Sequence, residues 1–470
     1  MGISNNARGH FSFSFDERRV TFLFTIEDYK HSVGLISNDI QKNGVSVDAL
    51  RNILTLCASL LDELPEEKEY CFALTKYVKQ QAQIKHIETC NQQFGDLYWR
   101  SMLIEAPYLF DSYLLYLEKN REESERFYEP KREILLKHGL IQAMQDLEDD
   151  KLDIVSISMP PGTQKTTLEK FFCSWIIGKY PKDYSLFYSH SGEITDMFYR
   201  GVLDITTDEI EYTWSEIFPN VKLQSTHAKS QTINFGKYKP FASIQCTSVG
   251  AKNAGKVRCN RYLYCDDLIG GIEEALNKVY LDKLWRIYTT DAKQRKLNEQ
   301  VKEIHIATRW SVHDVIGRLQ RAYENSKRTR FIAIPDIDEE TGESNFNYRY
   351  NGLGVKHFRD IALTMDDISY RCLYKNQPVE REGLLYHDED LRRYISMPLR
   401  EPDAILGICD VKNKGTDFMF LPCFYQYDDD YYLVDCICDD NADYGVQYER
   451  LSNIIIENNM QQCEFESNNG

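Results

Sequence analysis

The sequence has no apolar run long enough to cross a membrane. Roughly 18 to 20 consecutive apolar residues are needed for a helical span, and no stretch of the 470 residues reaches that length. The first six residues lead into charged positions before any hydrophobic stretch, which fits neither a secretory signal peptide nor the N-terminal acylation pattern. These absences predict a soluble protein without a membrane partner.

Paired cysteines at zinc-binding spacing are also missing. The 13 cysteines are odd in number and scattered, without the Cys-x-x-Cys pairs that zinc modules use. Their pattern therefore predicts a reduced, intracellular compartment. Internal repeats and low-complexity tracts are absent as well.

The composition is that of a folded protein with several domains. An apolar fraction of 42% and an aromatic fraction of 13% can build packed cores, which excludes a disordered chain. At roughly 150 residues per domain, the length predicts about three domains.

Charge is distributed unevenly along the chain, whose formal net charge is −17. Residues 401–470 contain 15 acidic and 3 basic residues, whereas residues 251–330 contain 17 basic and 10 acidic residues, a net charge of +7. The overall charge argues against nucleic-acid binding, but the middle segment could present a cationic face to phosphates. Both segments could equally be solvated surface.

Hydrophobic periodicity predicts four successive regions. Residues 1–125 are expected to be largely helical and to dock partners, since Leu50, Ile53, Leu54, Leu56 and Leu60 recur at helical spacing. Residues 126–335 alternate short β-branched runs with helical segments, which predicts an α/β domain with a parallel sheet. Residues 336–402 are irregular and charged, as in a connecting segment, and residues 403–470 predict three strands, a helix and a last strand.

A short loop between the strand at 153–158 and the helix that follows is a candidate phosphate-binding (Walker A) loop. Lys165 would reach the β- and γ-phosphates and the Thr166 hydroxyl would contact Mg²⁺. Against Gly-x-x-x-x-Gly-Lys-Ser/Thr, Met159 and Gln164 replace both glycines, so the loop alone is also compatible with an ordinary strand–turn–helix. The candidate ATP-binding residues are Pro161, Gly162, Thr163, Gln164, Lys165, Thr166 and Thr167.

Two later strands end in polar residues. The strand at 262–265 ends in Asp266-Asp267, where one carboxylate can serve the Mg²⁺ and the second can polarise the attacking water; a solvated turn is the alternative. A further strand ends in Thr308-Arg309, which could sense the γ-phosphate or could be a helix cap with a surface arginine. The helix after it is predicted from a capping pattern that begins at Ser311.

These motifs, in this order, resemble the large terminase subunit of tailed bacteriophages. The resemblance runs from about residue 128 to the last residue, and its most specific block is the one that begins at Thr308. It rests on the segments PPGTQKTT at 160–167, the strand with Ser189, CNRYLYCDDL at 259–268, IATRWSVHDVIGRL at 306–319, YKNQPVE at 374–380 and GICDVKNKGTD at 407–417.

The resemblance implies a P-loop ATPase followed by a ribonuclease-H-like nuclease. Lys165 and Thr166 match its phosphate-loop positions, Asp266 its metal aspartate (Walker B) and Thr308 its coupling motif, while Asp267 stands at the catalytic acid. Gln164 departs from the usual glycine, and a side chain there would crowd the loop, so nucleotide affinity or turnover could be impaired. The charge-neutralising arginine would come from elsewhere, with Arg258 and Arg261 as candidates by position only; structural or DNA-contact roles are alternatives.

The nuclease half would need carboxylates around two Mg²⁺ or Mn²⁺ ions. Asp410 matches the family's first metal ligand, Glu466 matches the second, and Asp417 could assist. Asp428 to Asp430 are expected to form a hairpin turn instead. Because the family's third acid lies further along and Gly470 follows soon after Glu466, the nuclease domain is expected to be truncated, weakly active or inactive, and marginally stable.

The resulting hypothesis is a subunit of a viral DNA-packaging motor. Its expected ligands are ATP and Mg²⁺, and its expected partners are double-stranded DNA, a portal protein, a small terminase subunit and further copies of itself in a ring. It would act in the host cytoplasm and transiently on the prohead. Two alternatives stay open: a stand-alone P-loop helicase or translocase, and an assembly or scaffold protein without ATPase activity.

Overall fold

The computed structural model divides the chain into two compact units, Met1–Glu382 and Gly383–Gly470. The structure describes residues 24–237, 239–251, 257–378, 392–411, 419–439 and 444–465. Within these ranges, no helix combines the length and the apolar character that crossing a membrane would demand. All 13 cysteines lie in the described ranges as free thiols. The four-part domain division stays a prediction.

The first unit begins with a group of helices. Leu50, Ile53, Leu54 and Leu60 are buried in their common core, as the periodicity predicts, whereas Leu56 is half-buried. The Ser46 hydroxyl caps the second helix by accepting the Ala49 N–H. The helices are α1 Ile26–Asn43, α2 Val47–Glu63, α3 Lys68–Thr89, α4 Gln92–Glu105 and α5 Phe110–Leu117.

An eight-stranded sheet with flanking helices forms the rest of the first unit. The strands are β1 Ile154–Ser158, β2 Ser185–Ser189, β3 Leu223–His227, β4 Thr232–Phe235, β5 Ile244–Ser248, β6 Tyr262–Asp266, β7 Lys302–Ala307 and β8 Thr329–Ala333. The helices are α6 Arg132–Lys137, α7 Leu140–Glu148, α8 Lys165–Lys179, α9 Gly192–Thr207, α10 Trp214–Ile217, α11 Ile272–Leu276, α12 Lys278–Ile287, α13 Val315–Ala322, α14 Val355–Ala362 and α15 Asp367–Leu373.

The strand order confirms the predicted α/β fold with a mainly parallel sheet. The order is β3-β4-β5-β2-β6-β7-β1-β8, and every neighbouring pair from β5 to β8 is parallel. Only β3 and β4, at one edge, run antiparallel to their neighbours. Every residue of β1, β2 and β6 is buried, which is typical of parallel strands covered on both faces.

The second unit contains a four-stranded sheet and one helix. Its elements are β9 Ala404–Cys409, β10 Met419–Tyr427, β11 Asp430–Asp439, α16 Tyr444–Glu457 and β12 Gln462–Phe465. The order is β11-β10-β9-β12, with β12 parallel to β9 and the other pairs antiparallel. These elements match the predicted three strands, helix and last strand, and Asp428 and Asp429 lie in the turn between β10 and β11. The ribonuclease-H-like character and the truncation of this unit stay predictions.

Candidate functional site: a phosphate-loop arrangement at the carboxyl edge of the sheet

The loop between β1 and α8 has the backbone of a tight strand–turn–helix. Gly162 and Gln164 both have positive φ angles, +78° and +64°, and the Thr163 hydroxyl donates to the Pro160 carbonyl at 2.8 Å. Gln164 is the residue before the first turn of α8, and its side chain does not cap the helix. The first-turn N–H groups of α8 are therefore without a side-chain cap, as an anion-binding helix start requires.

Thr166 joins this loop to the end of β6. Its hydroxyl donates to Oδ2 of Asp266 at 2.7 Å, and Asp266 is 1% exposed. Among the described residues, the other carboxylate oxygen of Asp266 has no hydrogen-bond partner. Burial, with the neighbouring charge of Asp267, raises the pKa of Asp266 to about 7.

Lys165 reaches across to the end of β7. Its ammonium donates to the Thr308 hydroxyl at 2.7 Å and lies 3.7 Å from Oδ2 of Asp267. Lys165 is 9% exposed, so these contacts hold the charge at the edge of the sheet. The order β6-β7-β1 places Thr308 between the phosphate loop and the two aspartates.

Asp267 is held in an unusual backbone conformation. Its φ is +38°, and its N–H donates to the Ile306 carbonyl at 2.8 Å. Oδ1 accepts the Thr308 N–H at 3.0 Å. The carbonyl of Asp267 faces His190, whose Nδ1 lies 2.6 Å away. A histidine in the loop after β2 gives no periodic signal, so the sequence did not point to it.

Arg309 does not face the phosphate loop as a sensor. It is 4% exposed, and its guanidinium donates to Asp314 at 2.9 Å and to Gln320 at 2.9 Å. The arginine is therefore buried and not on the surface, and the γ-phosphate sensor at Thr308 stays a prediction. The predicted helix start at Ser311 is wrong: Asp314 caps α13 by accepting the Gly317 N–H at 2.7 Å, because an aspartate directly before the first turn satisfies its free N–H groups.

The two candidate arginines lie away from this site in their own chain. Arg261 precedes β6, at the end opposite to Asp266, and its guanidinium packs 3.4 Å from the centre of the Tyr180 ring and 3.3 Å from Glu148. The half-buried Arg258 donates to the Gln294 carbonyl. These contacts are structural, and a role in a neighbouring subunit stays a prediction.

Glu169 was not singled out from the sequence, yet it is fully buried in α8. Among the described residues, neither of its carboxylate oxygens has a hydrogen-bond partner. Burial, reinforced by the charges of Asp266 and Asp267, raises the pKa of Glu169 well above its ordinary value. A glutamate in a helix usually faces solvent, so no sequence pattern marks this position as buried.

Of the three candidate nuclease residues, the structure describes only Asp410. Asp410 is exposed directly after β9, and its backbone pairs with Phe420. Asp417 and Glu466 lie outside the described residues. Glu464, two positions before Glu466, pairs with Ile408, two positions before Asp410. Across the described ranges, no group of three or more His, Cys, Asp or Glu side chains is arranged to hold a metal ion.

The solved structures that resemble this chain include large terminases of bacteriophages. Neither a protein-family model nor a curated protein sequence matches the chain. A large terminase from a thermophilic bacteriophage aligns with 12% identity and a TM-score of 0.34, covering 70% of this chain and 77% of its own; the same protein has been solved with ADP. The bacteriophage HK97 large terminase aligns with 11% identity and a TM-score of 0.35, covering 68% of this chain and 67% of its own.

A third neighbour is the ATPase domain of the Thermus phage P74-26 large terminase. It aligns with 10% identity and a TM-score of 0.33, over 50% of this chain and 93% of the domain. Similarity at this level does not establish function, which has to be inferred from the site. The solved structures that this chain resembles are thus large terminases from several phages, the family that its sequence motifs resemble.

Proposed function

We propose that residues 126–335 bind and hydrolyse ATP, and that hydrolysis drives double-stranded DNA into a viral prohead. The observation that carries this proposal is the meeting of Lys165, Thr166, Asp266, Asp267 and Thr308 at one edge of a parallel sheet. Ligands of α/β folds bind at the carboxyl ends of the strands. A cation, a hydroxyl and two carboxylates beside an uncapped helix start are the groups that a magnesium nucleotide needs.

The donor set suits Mg²⁺. A hydroxyl and carboxylate oxygens are ligands that this ion prefers, and the buried Oδ1 of Asp266 is without a hydrogen-bond partner in the described structure. Thr166 and Asp266 would hold the metal together with the phosphates. When bound, Mg²⁺ would neutralise charge on the β- and γ-phosphate oxygens.

Lys165, Asp267 and Thr308 would carry out the remaining steps of hydrolysis. Lys165 would exchange the Thr308 hydroxyl for a phosphate oxygen, which keeps its ammonium paired in both states. Asp267, anchored by the Thr308 N–H, would orient the attacking water through its carboxylate and hold the proton that the water gives up. Release of the Thr308 hydroxyl would free the end of β7, which Arg309 links to α13.

The packaging role extends to DNA and to assembly partners. Lys283 and Arg286 are exposed on α12, in the basic segment 251–330, and would contact DNA phosphates without sequence preference. The portal protein, the small terminase subunit and a homo-oligomeric ring on the prohead in the host cytoplasm belong to the same proposal. So does an endonuclease in residues 403–470 that uses Asp410, Asp417 and Glu466 with Mg²⁺ or Mn²⁺.

A turnover assay tests the ATPase. We expect Mg²⁺-dependent phosphate release from ATP by the wild-type protein, and a loss of at least about 100-fold in Lys165→Ala, since a group that stabilises transition-state charge is worth about that much. Lys182→Ala, an exposed lysine of the same unit, is the matched control. Equal rates in the wild-type protein and Lys165→Ala would overturn the proposal.

DNA binding is tested separately. We expect the affinity for double-stranded DNA to fall steeply with salt, and the double variant Lys283→Ala/Arg286→Ala to reduce that salt slope by about two. A flat salt response of the wild-type protein would contradict the packaging role while leaving the ATPase intact.

One observation favours a second candidate function, an assembly or scaffold protein without turnover. Gln164 occupies a left-handed conformation, φ +64°, where the phosphate loop normally has glycine. Absent wild-type hydrolysis, together with strong hydrolysis by Gln164→Gly, would favour this candidate.

A further inference from the structure

The loop after β2 is fastened to the peptide that follows Asp267. Three groups of this loop approach the Asp267 carbonyl oxygen: the His190 N–H at 3.2 Å, the His190 Nδ1 at 2.6 Å and the Ser189 hydroxyl at 3.5 Å. The imidazole contact is the shortest of the three. His190 therefore connects the end of β2 to Asp267, the residue directly after β6.

The carbonyl acceptor determines which ring nitrogen of His190 carries the hydrogen. A carbonyl oxygen can only accept a hydrogen bond, so Nδ1 of His190 carries the hydrogen and donates it. The ring also lies close to Gly270, where an added Cβ would be 3.1 Å from its Cδ2 atom. The imidazole is thus seated between the Asp267 carbonyl and a position that carries no side chain.

Asp267 needs such an anchor because its backbone is strained. A residue other than glycine pays about 1–2 kcal/mol in the left-handed region, and the φ of Asp267 is +38°. Its N–H is fixed by the Ile306 carbonyl and its side chain by the Thr308 N–H. Among the groups at its carbonyl, the imidazole of His190 makes the shortest contact, at 2.6 Å.

We propose that His190 is a positioning residue for ATP hydrolysis. Its Nδ1–H holds the Asp267 peptide in the left-handed conformation, and that conformation aims the carboxylate at the attacking water. This inference rests on the proposed ATPase function. His190 acts through Asp267, so its loss should lower turnover and leave nucleotide binding largely intact.

Three variants separate positioning from a general structural role. His190→Ala removes the imidazole donor and keeps the backbone N–H, His190→Asn places an amide N–H near the position of Nδ1, and His190→Gln places one near Nε2. We expect kcat to fall about 10- to 100-fold in His190→Ala, since small misplacement of a catalytic group costs up to that much. KM for ATP should stay within about threefold.

The kcat values of His190→Asn and His190→Gln test the inference. His190→Asn should recover kcat to within about threefold of the wild-type protein, and His190→Gln should remain as slow as His190→Ala. A kcat of His190→Ala within twofold of wild type, or equal rates of His190→Asn and His190→Gln, would overturn it. Absent hydrolysis by the wild-type protein would instead overturn the ATPase proposal on which it rests.

The ring proton gives a readout independent of turnover. In protein labelled with ¹⁵N-histidine, the His190 signals, identified by their loss in His190→Asn, should show a protonated Nδ1. A neutral ring protonated only at Nε2 would overturn the inference, since that tautomer cannot donate to the Asp267 carbonyl.

Discussion

Lys165 and Thr308 are joined by a hydrogen bond of 2.7 Å between the ammonium and the hydroxyl. They follow neighbouring strands of the sheet, Lys165 at the start of α8 after β1 and Thr308 directly after β7. The same threonine donates its N–H to Asp267. Thr308 therefore links the phosphate-loop cation to the acid proposed to act on water.

Removing the Thr308 hydroxyl should tighten nucleotide binding. In the free protein this hydroxyl competes with phosphate for Lys165, and a hydrogen bond to a charged group is worth about 1.5–3 kcal/mol. Thr308→Val should therefore bind the magnesium complex of ATP-γ-S more tightly, by about tenfold in titration calorimetry. Thr308→Ser, which keeps the hydroxyl, is the control, and weaker binding by Thr308→Val would contradict the competition.

Replacing Gln164 with glycine should stabilise the phosphate loop. Relief of its left-handed conformation gains about 1–2 kcal/mol, and the added freedom of glycine in the unfolded chain takes back part of this gain. We expect the free energy of unfolding to rise by about 0.5–1 kcal/mol in Gln164→Gly and not to rise in Gln164→Ala, as measured by denaturant titration. Equal effects of the two substitutions would show that the strain does not matter.

Glu169 should make the protein less stable as pH rises. Because burial raises its pKa in the folded state, the folded protein holds a proton that the unfolded chain releases. The stabilising contribution of that proton is complete below the ordinary pKa of glutamate and is lost as pH rises toward the folded value.

Glu169→Met removes both the titration and an unpaired buried polar group, so it should raise the free energy of unfolding by about 1–3 kcal/mol at pH 8 and by less at pH 5. Glu209→Gln, at an exposed position, is the control. A gain that is the same at both pH values would refute the buried, protonated state.

Glu303 should have the opposite pH dependence. Burial alone would raise the pKa of Glu303, but hydrogen bonding to His305 and the charges of His305, Lys296 and Lys293 together lower it well below its ordinary value. Lys296 lies 2.9 Å from one carboxylate oxygen, and the Tyr288 hydroxyl donates to the other. Its stabilising contribution is therefore present above the ordinary pKa of glutamate and is lost as pH falls.

Neutralising Glu303 should leave the cations around it without their negatively charged partner. Glu303→Gln should cost about 3–5 kcal/mol at pH 7, the usual penalty for breaking a buried ion pair, and the loss should shrink under acidic conditions. Thermal unfolding from pH 8 to well below the ordinary pKa of glutamate, with the exposed Glu299→Gln as a control, measures this. An unchanged Tm in Glu303→Gln at pH 7 would contradict the ion-pair network.

The elements with strong patterns could be predicted from the sequence. The buried strands around Val155, Phe187 and Leu263 are short, mainly apolar runs between helical segments, and all of them are strands of the parallel sheet. In contrast, β3 is exposed at every position and β8 is a partly exposed edge strand that contains Arg330. Their polar sequences carry no hydrophobic alternation, because edge strands bury little.

Some contacts of the candidate site could be expected from the sequence, and others could not. The pairing of Thr166 with Asp266 could be expected, since residues after parallel strands meet at one edge. Three other features could not be expected: the His190 contact with Asp267, the burial of Glu169 and the ion pair between Arg309 and Asp314. Each depends on which loops lie side by side in the folded chain.

The sequence alone determined those strands and helices that have a strong hydrophobic pattern, since hydrophobic periodicity and helix caps act over a few residues. It also determined the chemistry available at the strand ends. Only the tertiary structure decided that β7 lies between β1 and β6, and thus that Thr308 contacts both Lys165 and Asp267. The position of β7 is set by pairing between residues 40 positions apart, such as Tyr262 and Lys302, and 149 positions apart, such as Ile154 and Glu303, and local patterns do not encode such pairing.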